Sequence, residues 1–212
     1  MKIYIPIKHS SQRLPNKNFL NFNGVPLWEN LINKLTDFET IVDTDSEKII
    51  EECKNKPWVK TYFRPMELRG HGVSVVDLIK NYFDKHPTDE WIAQIHVTSP
   101  FLSVEHLKGL ERDSKNWEYD SAFSVDVIQN RLWREESYGI CPINHNPCRL
   151  EQTQNLPEYY AENSYFYLFT TEVLKLGNRI GKNPKMIPMG FPFNLDIDTK
   201  ENWEHVISIK QK

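Results

Sequence analysis

Short apolar segments alternate with segments of helical periodicity through the first 125 residues, and this alternation constrains the fold more than any other feature. The strand-like segments lie at residues 3–7, 40–42, 60–63, 91–95 and 121–125. Apolar residues recur at helical spacing in the stretches between them. A repeated strand–loop–helix pattern is typical of α/β proteins in which helices cover both faces of a mostly parallel sheet. The sequence therefore predicts an α/β fold, with one domain over residues 1–212.

Capping residues place several helix starts in this first half. The pairs Thr44/Glu47 and Ser74/Asp77 each fit a capping box, in which a hydroxyl and a carboxylate satisfy the free N–H groups of the first turn. Ser103 fits the N-cap of a further helix. These signals predict helices that begin directly after the strand-ending loops.

The end of the chain carries three further strand signals, at residues 165–169, 186–189 and 194–198. Pro188 interrupts the second of them, which predicts an edge strand because proline cannot donate to a central ladder. Thr199 then fits the N-cap of a last helix.

Composition limits the possible partners. The chain has a formal net charge of -3, with 39% hydrophobic and 26% charged residues, which is ordinary for a soluble globular protein. This balance gives no general case for binding nucleic acid or an anionic membrane. The first residues lack the apolar core of a signal peptide, and no apolar run is long enough to span a bilayer. We therefore expect no nucleic-acid or membrane partner and a cytoplasmic location.

The three cysteines, Cys53, Cys141 and Cys148, are odd in number and form no Cys-x-x-Cys pair. We expect reduced thiols, in keeping with a cytoplasmic protein. Cys141, His145 and Cys148 also have a spacing that a zinc site could use, but a fourth ligand in a recognised arrangement is missing.

A basic loop follows the first strand. Residues 6–18 contain Lys8, Arg13 and Lys17 together with two consecutive serines, the second of them Ser11. Ligands of α/β proteins bind beyond the carboxyl ends of the strands, which is where this loop lies. Cations, hydroxyls and backbone N–H groups in a tight loop suit a polyphosphate, and the alternative is a solvated basic loop. The loop lacks a Walker A element and a Gly-x-Gly-x-x-Gly run, which argues against a P-loop kinase and a dinucleotide-dependent dehydrogenase.

Two carboxylates, Asp196 and Asp198, stand two positions apart in the predicted strand 194–198. They would point to the same face and repel each other unless a cation lies between them. Mg²⁺ suits such a pair, because it binds one or two carboxylates and completes its shell with phosphate and water. The alternative is that Asp196 is a surface residue and Asp198 helps to cap the last helix. Together with the basic loop, the pair predicts chemistry on a nucleoside triphosphate with Mg²⁺ as cofactor.

The alternation weakens between residues 126 and 162, where polar residues mix with Trp133, Tyr138 and three prolines. A structureless loop of this length would be unusual in a compact domain. We interpret the stretch as a hairpin or arm that leaves the body and packs on a second copy in a homodimer. The alternative is a mobile surface insertion.

Six motifs, in order and at similar spacings, resemble those of the CMP-sugar synthetases, the acylneuraminate cytidylyltransferase family. The matching stretches are 7–18, 42–45, 64–68, 98–100, 156–163 and 195–199. Their family counterparts read Ala-Arg-x-x-Ser-x-x-x-Pro-x-Lys-Asn, Val-Ser-Thr-Asp, Arg-Pro-x-x-Leu, Gln-Pro-Thr-Ser-Pro, Leu-Pro-x-x-Tyr-Arg-Glu-Asn-Gly and Ile-Asp-Ile-Asp-Thr. The resemblance implies a Rossmann-like nucleotidyltransferase fold and a dimer whose projecting arm reaches the neighbour's site.

The resemblance also implies a reaction, in which CTP and a sugar, usually a 2-keto sugar acid, give a CMP-sugar and pyrophosphate. By matching positions, catalytic roles fall to Lys8, Lys17 and Asp198, and Mg²⁺ would be held by Asp196 and Asp198. The implied nucleotide-binding residues are Lys8, Ser11, Arg13, Lys17, Asn18, Arg64, Val73 and Ser74. The implied sugar-binding residues are His96, Thr98, Glu162 and Asn163.

The chain departs from the family pattern mainly on the sugar side. Lys8 replaces an arginine, which keeps the charge but loses the bidentate fork. Thr153 and Ala161 also stand where the family has arginines, which removes partners for a sugar carboxylate. Arg149 or Arg131 in the arm could compensate.

Three alternatives stay open at this point. The protein could use another nucleotide, it could use a non-acid sugar, or it could be a non-catalytic nucleotide- or sugar-binding homologue. The departures at Lys8, His96 (glutamine in the family) and Ala161 permit the last of these, whereas the presence of Asp196 and Asp198 counts against it.

Overall fold

A computed structural model describes residues 1–70 and 72–210. The strands are β1 (Lys2–Ile7), β2 (Asn21–Phe22), β3 (Val25–Pro26), β4 (Glu39–Thr44), β5 (Val59–Phe63), β6 (Ile92–Ile95), β7 (Ser121–Ile128), β8 (Trp133–Glu136), β9 (Gly139–Pro142), β10 (Tyr159–Phe169) and β11 (Pro184–Pro188). The helices are α1 (Leu27–Lys34), α2 (Glu47–Cys53), α3 (Val75–Phe83), α4 (Val104–Ser114), α5 (Thr171–Lys175) and α6 (Lys200–Lys210).

Seven of these strands form the central sheet, in the order β11-β7-β10-β6-β1-β4-β5. Within this sheet β10 is the one strand that runs antiparallel to its neighbours β6 and β7, and the other pairings are parallel. The mostly parallel α/β sheet predicted from the sequence is therefore confirmed. The proline-interrupted strand β11 lies at an edge, also as predicted.

The two faces of the sheet bury separate apolar cores. Successive residues of a strand point to opposite faces, so Ile3 and Ile5 of β1 enter one core and Tyr4 enters the other. Helices α1, α2, α4 and α6 cover the first core, and α3 and α5 cover the second. Each large apolar side chain buried in this way stabilises the fold by about 1.5–3 kcal/mol. Burial on both faces explains why the strands read as nearly continuous apolar runs.

Helix starts follow the predicted caps with one exception. Ser74 Oγ accepts a hydrogen bond from the Asp77 backbone N–H at 3.1 Å and donates to the Asp77 carboxylate at 2.8 Å, which is a capping box at the start of α3. The capping box predicted for Thr44 and Glu47 is wrong, because Thr44 still belongs to β4 and Ser46 occupies the N-cap position of α2. The Thr44 hydroxyl instead accepts from the Ser46 backbone N–H at 3.1 Å.

The strand predicted at 194–198 is wrong as well. This segment has no ladder partner, although the Ile197 backbone N–H donates to the Thr98 carbonyl at 3.0 Å. The Ile197 side chain is fully buried in the first core. The alternation of apolar and acidic residues therefore reflects a loop that buries the Ile197 side chain in the core and turns its two carboxylates away from that core, and it does not reflect a strand. Thr199 accepts from the Asn202 backbone N–H at 3.3 Å at the start of α6, as expected for a cap.

Strands β7 and β10 carry the chain out of the body at the edge where the parallel strands end. Their pairing continues to Ile128 and Tyr159, and beyond it β8 and β9 form an antiparallel hairpin. Trp133, Tyr138 and Ile140 of the hairpin region are 51%, 77% and 70% exposed. The predicted hairpin is therefore present, and its packing on a second copy stays a prediction. Among the helices described, none is both long and apolar enough to cross a bilayer.

Candidate active site

An open cavity of about 480 Å³ lies at the carboxyl-terminal edge of the sheet. The loop after β1, the loop after β6 and the segment that precedes α6 form its walls. This is the position at which open α/β sheets bind ligands. The antiparallel strand β10 adds its own residues, because Phe166 pairs with Ile95 and the residues before Phe166 therefore lie beside the end of β6. Ser164 of β10 lines the cavity.

The basic loop forms one wall of the cavity and is anchored to the body. Asn18 Nδ2 donates to the Lys8 carbonyl at 2.7 Å, and the His9 backbone N–H donates to Asp45 at 2.6 Å. Asn16 takes a left-handed conformation with φ 54°, which asparagine tolerates, and a short 3-10 turn follows. The loop residues that line the cavity include Lys8, Ser11, Arg13, Lys17 and Asn18. The loop thus belongs to the cavity wall, and the polyphosphate expected to bind there stays a prediction.

Asp198 contacts the basic loop at the wall of the cavity. Its carboxylate lies 2.9 Å from Lys17 Nζ and 2.8 Å from Arg13 Nη2. Lys17 is 15% exposed and Arg13 is 70% exposed, so the lysine contact is the better shielded of the two. The loop therefore concentrates positive charge at a point where the chain also supplies a carboxylate.

Asp196 lines the same cavity. Burial raises the pKa of its carboxyl group, a hydrogen bond from Thr98 opposes this rise, and the negative charge of Asp198 adds to it. Two neighbouring carboxylates of this kind gain from a cation between them. The alternative roles, a surface position for Asp196 and a helix cap for Asp198, do not fit, because Thr199 caps α6.

The two carboxylates fit Mg²⁺ only as an incomplete site. Over residues 1–70 and 72–210, no group of three or more His, Cys, Asp or Glu side chains is placed to hold a metal ion. Mg²⁺ commonly takes one or two protein carboxylates and completes its octahedral shell with phosphate oxygens and water. The donor set thus suits an ion that arrives with a triphosphate. The zinc site considered for Cys141, His145 and Cys148 is not formed.

Arg64, at the end of β5, closes the opposite side of the cavity. It is fully buried. Its Nε atom donates to the Asp43 carboxylate at 2.7 Å and its Nη2 atom donates to the Asp43 backbone carbonyl at 3.0 Å, while Tyr4 donates to the Asp43 carboxylate. Its Nη1 atom is buried and has no hydrogen-bond partner among the described residues. An unsatisfied buried donor costs about 1–3 kcal/mol, which a ligand acceptor could recover. Val73 lines the cavity nearby.

A chain of hydrogen bonds organises the side of the cavity beyond β6. Arg179 Nη1 donates to Gln94 Oε1 at 2.6 Å, and the Gln94 amide lies 2.6 Å from His96 Nε2. Burial lowers the pKa of His96 to about 4, helped by the positive charges of Arg179 and Lys17 and opposed by Asp198. His96 is therefore neutral at pH 7.

Most of the predicted site residues come together in this one cavity. The predicted residues that line it are Lys8, Ser11, Arg13, Lys17, Asn18, Arg64, Val73, His96, Thr98, Asp196 and Asp198. Three others do not line it. The Ser74 hydroxyl caps α3, the Asn163 amide donates to Asp126 at 2.9 Å, and Glu162 accepts from Tyr167.

The sequence did not indicate Arg179 or Gln94 as site residues. Arg179 comes from the loop between α5 and β11, which has no periodic pattern, and it reaches a residue 85 positions earlier in the chain. Gln94 gave one signal, as the single polar residue in a strand otherwise apolar from 91 to 95. Arg131 and Arg149, considered as substitutes for the missing family arginines, are held in the arm, where Arg131 donates to the Glu151 carbonyl.

Solved structures with the same architecture are nucleotidyltransferases. A CMP:2-keto-3-deoxy-manno-octonic acid synthetase complexed with CTP superposes with a TM-score of 0.66 at 14% identity, over 99% of this chain and 97% of that chain. A 4-diphosphocytidyl-2C-methyl-D-erythritol synthase from Anaerococcus prevotii gives a TM-score of 0.69 at 12% identity, over 99% and 96%. The fold is thus a Rossmann-like nucleotidyltransferase fold, as the sequence predicted.

The family follows from the sequence comparison. The family described as cytidylyltransferase matches residues 3–212, and the chain belongs to this family. The N-acylneuraminate cytidylyltransferase A of Danio rerio is 31% identical over 91% of this chain and 46% of its own length. A pseudaminic acid cytidylyltransferase of Campylobacter jejuni is 24% identical over 94% of this chain and 91% of its own length. The chain therefore spans about half the length of the acylneuraminate relatives that it matches, and the family predicted from the six motifs is confirmed.

Proposed function

We propose that the protein transfers CMP from CTP to a sugar acid in a Mg²⁺-dependent reaction that releases pyrophosphate. The observation that carries this proposal is the cavity lined by Lys8, Arg13 and Lys17, in which the last two contact Asp198 and Asp196 lies beside them. Phosphoryl transfer depends on positioning and on stabilising charge, which such a cavity provides. Membership of the cytidylyltransferase family supports the nucleotide.

The basic loop would bind the triphosphate. Lys8, Arg13 and Lys17 line the cavity, and Ser11 adds a hydroxyl. Lys8 Nζ donates to the Gly70 carbonyl at 3.0 Å, so its cationic group lies between the loop and the Arg64 side of the cavity. Charge grows on the β- and γ-phosphates as pyrophosphate leaves, and these cations would stabilise it.

Asp196 and Asp198 would hold the metal ion. Bound Mg²⁺ would supply Lewis-acid stabilisation of the phosphate charge. Asp198 carries Lys17 and Arg13 on its two oxygens, which keeps both cations beside the position of the phosphates. The burial that raises the pKa of Asp196 also keeps this carboxyl group away from bulk water. Its attraction for a cation is stronger there than in water, because the local dielectric constant is lower.

The Arg64 side of the cavity would take the base. Arg64 is held rigidly by Asp43 and offers Nη1 as an unused buried donor, which suits a carbonyl oxygen such as that of cytosine. Val73 lines the adjacent wall, and its backbone would complete the base contact. The Ser74 hydroxyl would contribute indirectly, because it fixes the start of α3.

The sugar would bind beyond β6, beside His96 and Thr98. Its anomeric hydroxyl would form a bond to the α-phosphorus and release its proton to water, while the bond from the α-phosphorus to the α–β bridging oxygen breaks and pyrophosphate leaves with that oxygen. Glu162 and Asn163 support this region from β10, through Tyr167 and Asp126 respectively. The relatives named for N-acylneuraminate and pseudaminic acid support an acidic sugar as the acceptor.

Two further parts of the proposal concern assembly and location. The exposed apolar residues of the hairpin, Trp133, Tyr138 and Ile140, support a homodimer formed through the arm. A cytoplasmic location is in keeping with Cys53, Cys141 and Cys148, which are all free thiols.

The test is pyrophosphate release with Mg²⁺, each of the four ribonucleoside triphosphates, and a panel of sugar acids and neutral sugars. We expect release with CTP and one sugar acid, and no release without Mg²⁺. Release with another triphosphate would overturn the base assignment, and release with a neutral sugar would overturn the acid assignment. Binding of CTP without release for any sugar would favour the non-catalytic alternative.

A further inference from the structure

We propose that Arg179 binds the carboxylate of the acceptor sugar. This inference rests on the proposed function and makes its acceptor class specific: a sugar acid whose carboxylate reaches the end of β6. Arg179 stands in the loop between α5 and β11, and its side chain lines the same cavity as Lys17 and Asp198. It is 19% exposed, so a ligand can reach a group that is otherwise shielded from water.

The guanidinium of Arg179 is held in a fixed orientation. Its central carbon lies 3.4 Å from the centre of the Tyr167 ring, and Nη1 donates to Gln94 Oε1 at 2.6 Å. A stacked and hydrogen-bonded guanidinium loses little further side-chain entropy when it binds a planar carboxylate through two N–H groups. The site is therefore organised before the ligand arrives.

Arg179 also determines which ring nitrogen of His96 carries the proton. Because the Gln94 oxygen accepts from Arg179, the Gln94 amide nitrogen must be the donor to His96 Nε2, 2.6 Å away. A neutral His96 with an accepting Nε2 carries its proton on Nδ1. The Arg179–Gln94–His96 chain thus combines a cation with a defined imidazole donor on one wall of the cavity.

Three arginines line the cavity, and their partners differ. Arg13 lies 2.8 Å from Asp198, and Arg64 lies 2.7 Å from Asp43. The carboxylate nearest to Arg179 is Glu162, whose oxygen is 3.6 Å from Nη2, beyond hydrogen-bonding distance. Of the three, Arg179 thus has the longest carboxylate contact, an ion pair with Glu162 without a hydrogen bond.

Arg179 lies beside the strand on which one of the two missing family arginines would stand. Ala161, which replaces one of them, precedes Glu162 on β10, and a Glu162 oxygen lies 3.6 Å from Nη2 of Arg179. A carboxylate ligand would form the charge-assisted pair that Glu162 leaves incomplete.

The test measures equilibrium binding by calorimetry in the presence of α,β-methylene-CTP, which cannot undergo transfer. The probes are N-acetylneuraminate, 3-deoxy-manno-octulosonate and pseudaminate, each beside its uncharged methyl ester. The variants are Arg179→Gln and Arg179→Lys, and the matched control is Arg112→Gln, which removes an exposed arginine paired with Asp113 on α4.

We expect the wild type to bind at least one acid more tightly than its ester. Arg179→Gln should raise the Kd of that acid by about tenfold to hundredfold and leave the Kd values of the ester and of α,β-methylene-CTP unchanged. Arg179→Lys should give a partial loss, because it keeps the charge without the fork. Arg112→Gln should behave as the wild type. Thermal melting of each variant would reveal a folding defect.

The inference is overturned if Arg179→Gln binds the acid as tightly as the wild type, if it weakens acid and ester equally, or if the wild type binds none of the three acids. Pyrophosphate release from CTP, measured separately on the wild type, distinguishes the two proposals. If the binding of the acid depends on Arg179 but no pyrophosphate is released, the proposed function is contradicted and the inference about Arg179 is supported. Pyrophosphate release that is the same in the wild type and in Arg179→Gln would support the proposed function and contradict the role of Arg179.

Discussion

Lys17 Nζ lies 2.9 Å from Asp198 Oδ1, and this contact joins the first loop of the chain to a segment 181 residues later. Each group therefore has a partner of opposite charge before any ligand binds. A substitution of either residue frees the other, so a loss of activity alone would not separate a metal ligand from a phosphate ligand. The two roles are separable by the Mg²⁺ dependence of turnover and by the affinity for CTP relative to CMP.

Asp198→Asn should reduce Mg²⁺-dependent pyrophosphate release by about a hundredfold or more while leaving the fold intact. The amide keeps the shape of the side chain but lacks the charge that would hold the metal ion. The measurement is the rate of release over a range of Mg²⁺ concentrations, with circular dichroism as the check on folding. Asp113→Asn, an exposed carboxylate on α4, is the control. Turnover with an unchanged Mg²⁺ dependence would rule out the metal role of Asp198.

Lys17→Ala should weaken the binding of CTP by about tenfold to hundredfold and weaken the binding of CMP much less. The reason is that the lost cation would meet the β- and γ-phosphates, which CMP lacks. Calorimetric titration of both nucleotides measures the difference, and Lys108→Ala removes an exposed lysine paired with Asp37 as a control. A loss of sugar affinity with unchanged CTP affinity would contradict this role.

Deletion of residues 133–148 should convert a dimer into monomers. The hairpin carries Trp133, Tyr138 and Ile140 into solvent, and apolar side chains exposed in this way are typical of an interface. Light scattering gives the mass of the particle in solution. The double variant Tyr138→Glu, Ile140→Glu keeps the backbone of the hairpin and should give the same result. A dimer that survives both changes would remove the arm from the interface.

His96→Gln should make the stability of the protein less sensitive to acid. The pKa of His96 is lowered to about 4 by burial and by neighbouring positive charge. The unfolded chain, with a histidine pKa of about 6.5, binds more protons between these two values. The free energy of unfolding is therefore fully retained above about pH 6.5 and falls as the pH drops towards about 4.

Urea unfolding at pH 7 and pH 4.5 measures the effect. The wild type should lose about 1–3 kcal/mol more than His96→Gln over this interval. His205→Gln, at an exposed position on α6, should follow the wild type. Parallel losses in the wild type and His96→Gln would show that another group governs the acid sensitivity.

The central sheet could be predicted from the sequence because burial on both faces leaves long apolar runs. The same reasoning failed at 194–198, where one buried side chain, Ile197, imitates the alternation of a strand. It failed again at Thr44, because a hydroxyl at the end of a strand and one at the start of a helix look alike until the backbone is known. The alternation of apolar and polar residues indicates which side chains are buried, and it indicates the pairing of strands only indirectly.

Some residues of the candidate site could be predicted from the sequence and others could not. The basic loop and the acidic pair could be found because each is compact in the sequence, at 8–18 and 196–198. Arg179 could not, because its importance arises from contacts with Gln94 and Tyr167 that only the folded chain brings together. No propensity or spacing rule connects a loop after α5 to the middle of a strand 85 residues earlier.

The reversed direction of β10 has a consequence for protein engineering. Because this strand enters the sheet from the cavity edge, the hairpin end, Glu162, Ser164 and Arg179 all belong to one contiguous piece of chain, 156–183. The basic loop and Arg64 lie outside that piece. Under the proposed function, exchange of this piece between relatives would move the β10 and Arg179 part of the acceptor wall, whereas Gln94, His96 and Thr98 would stay with the host chain together with the loop proposed for the triphosphate.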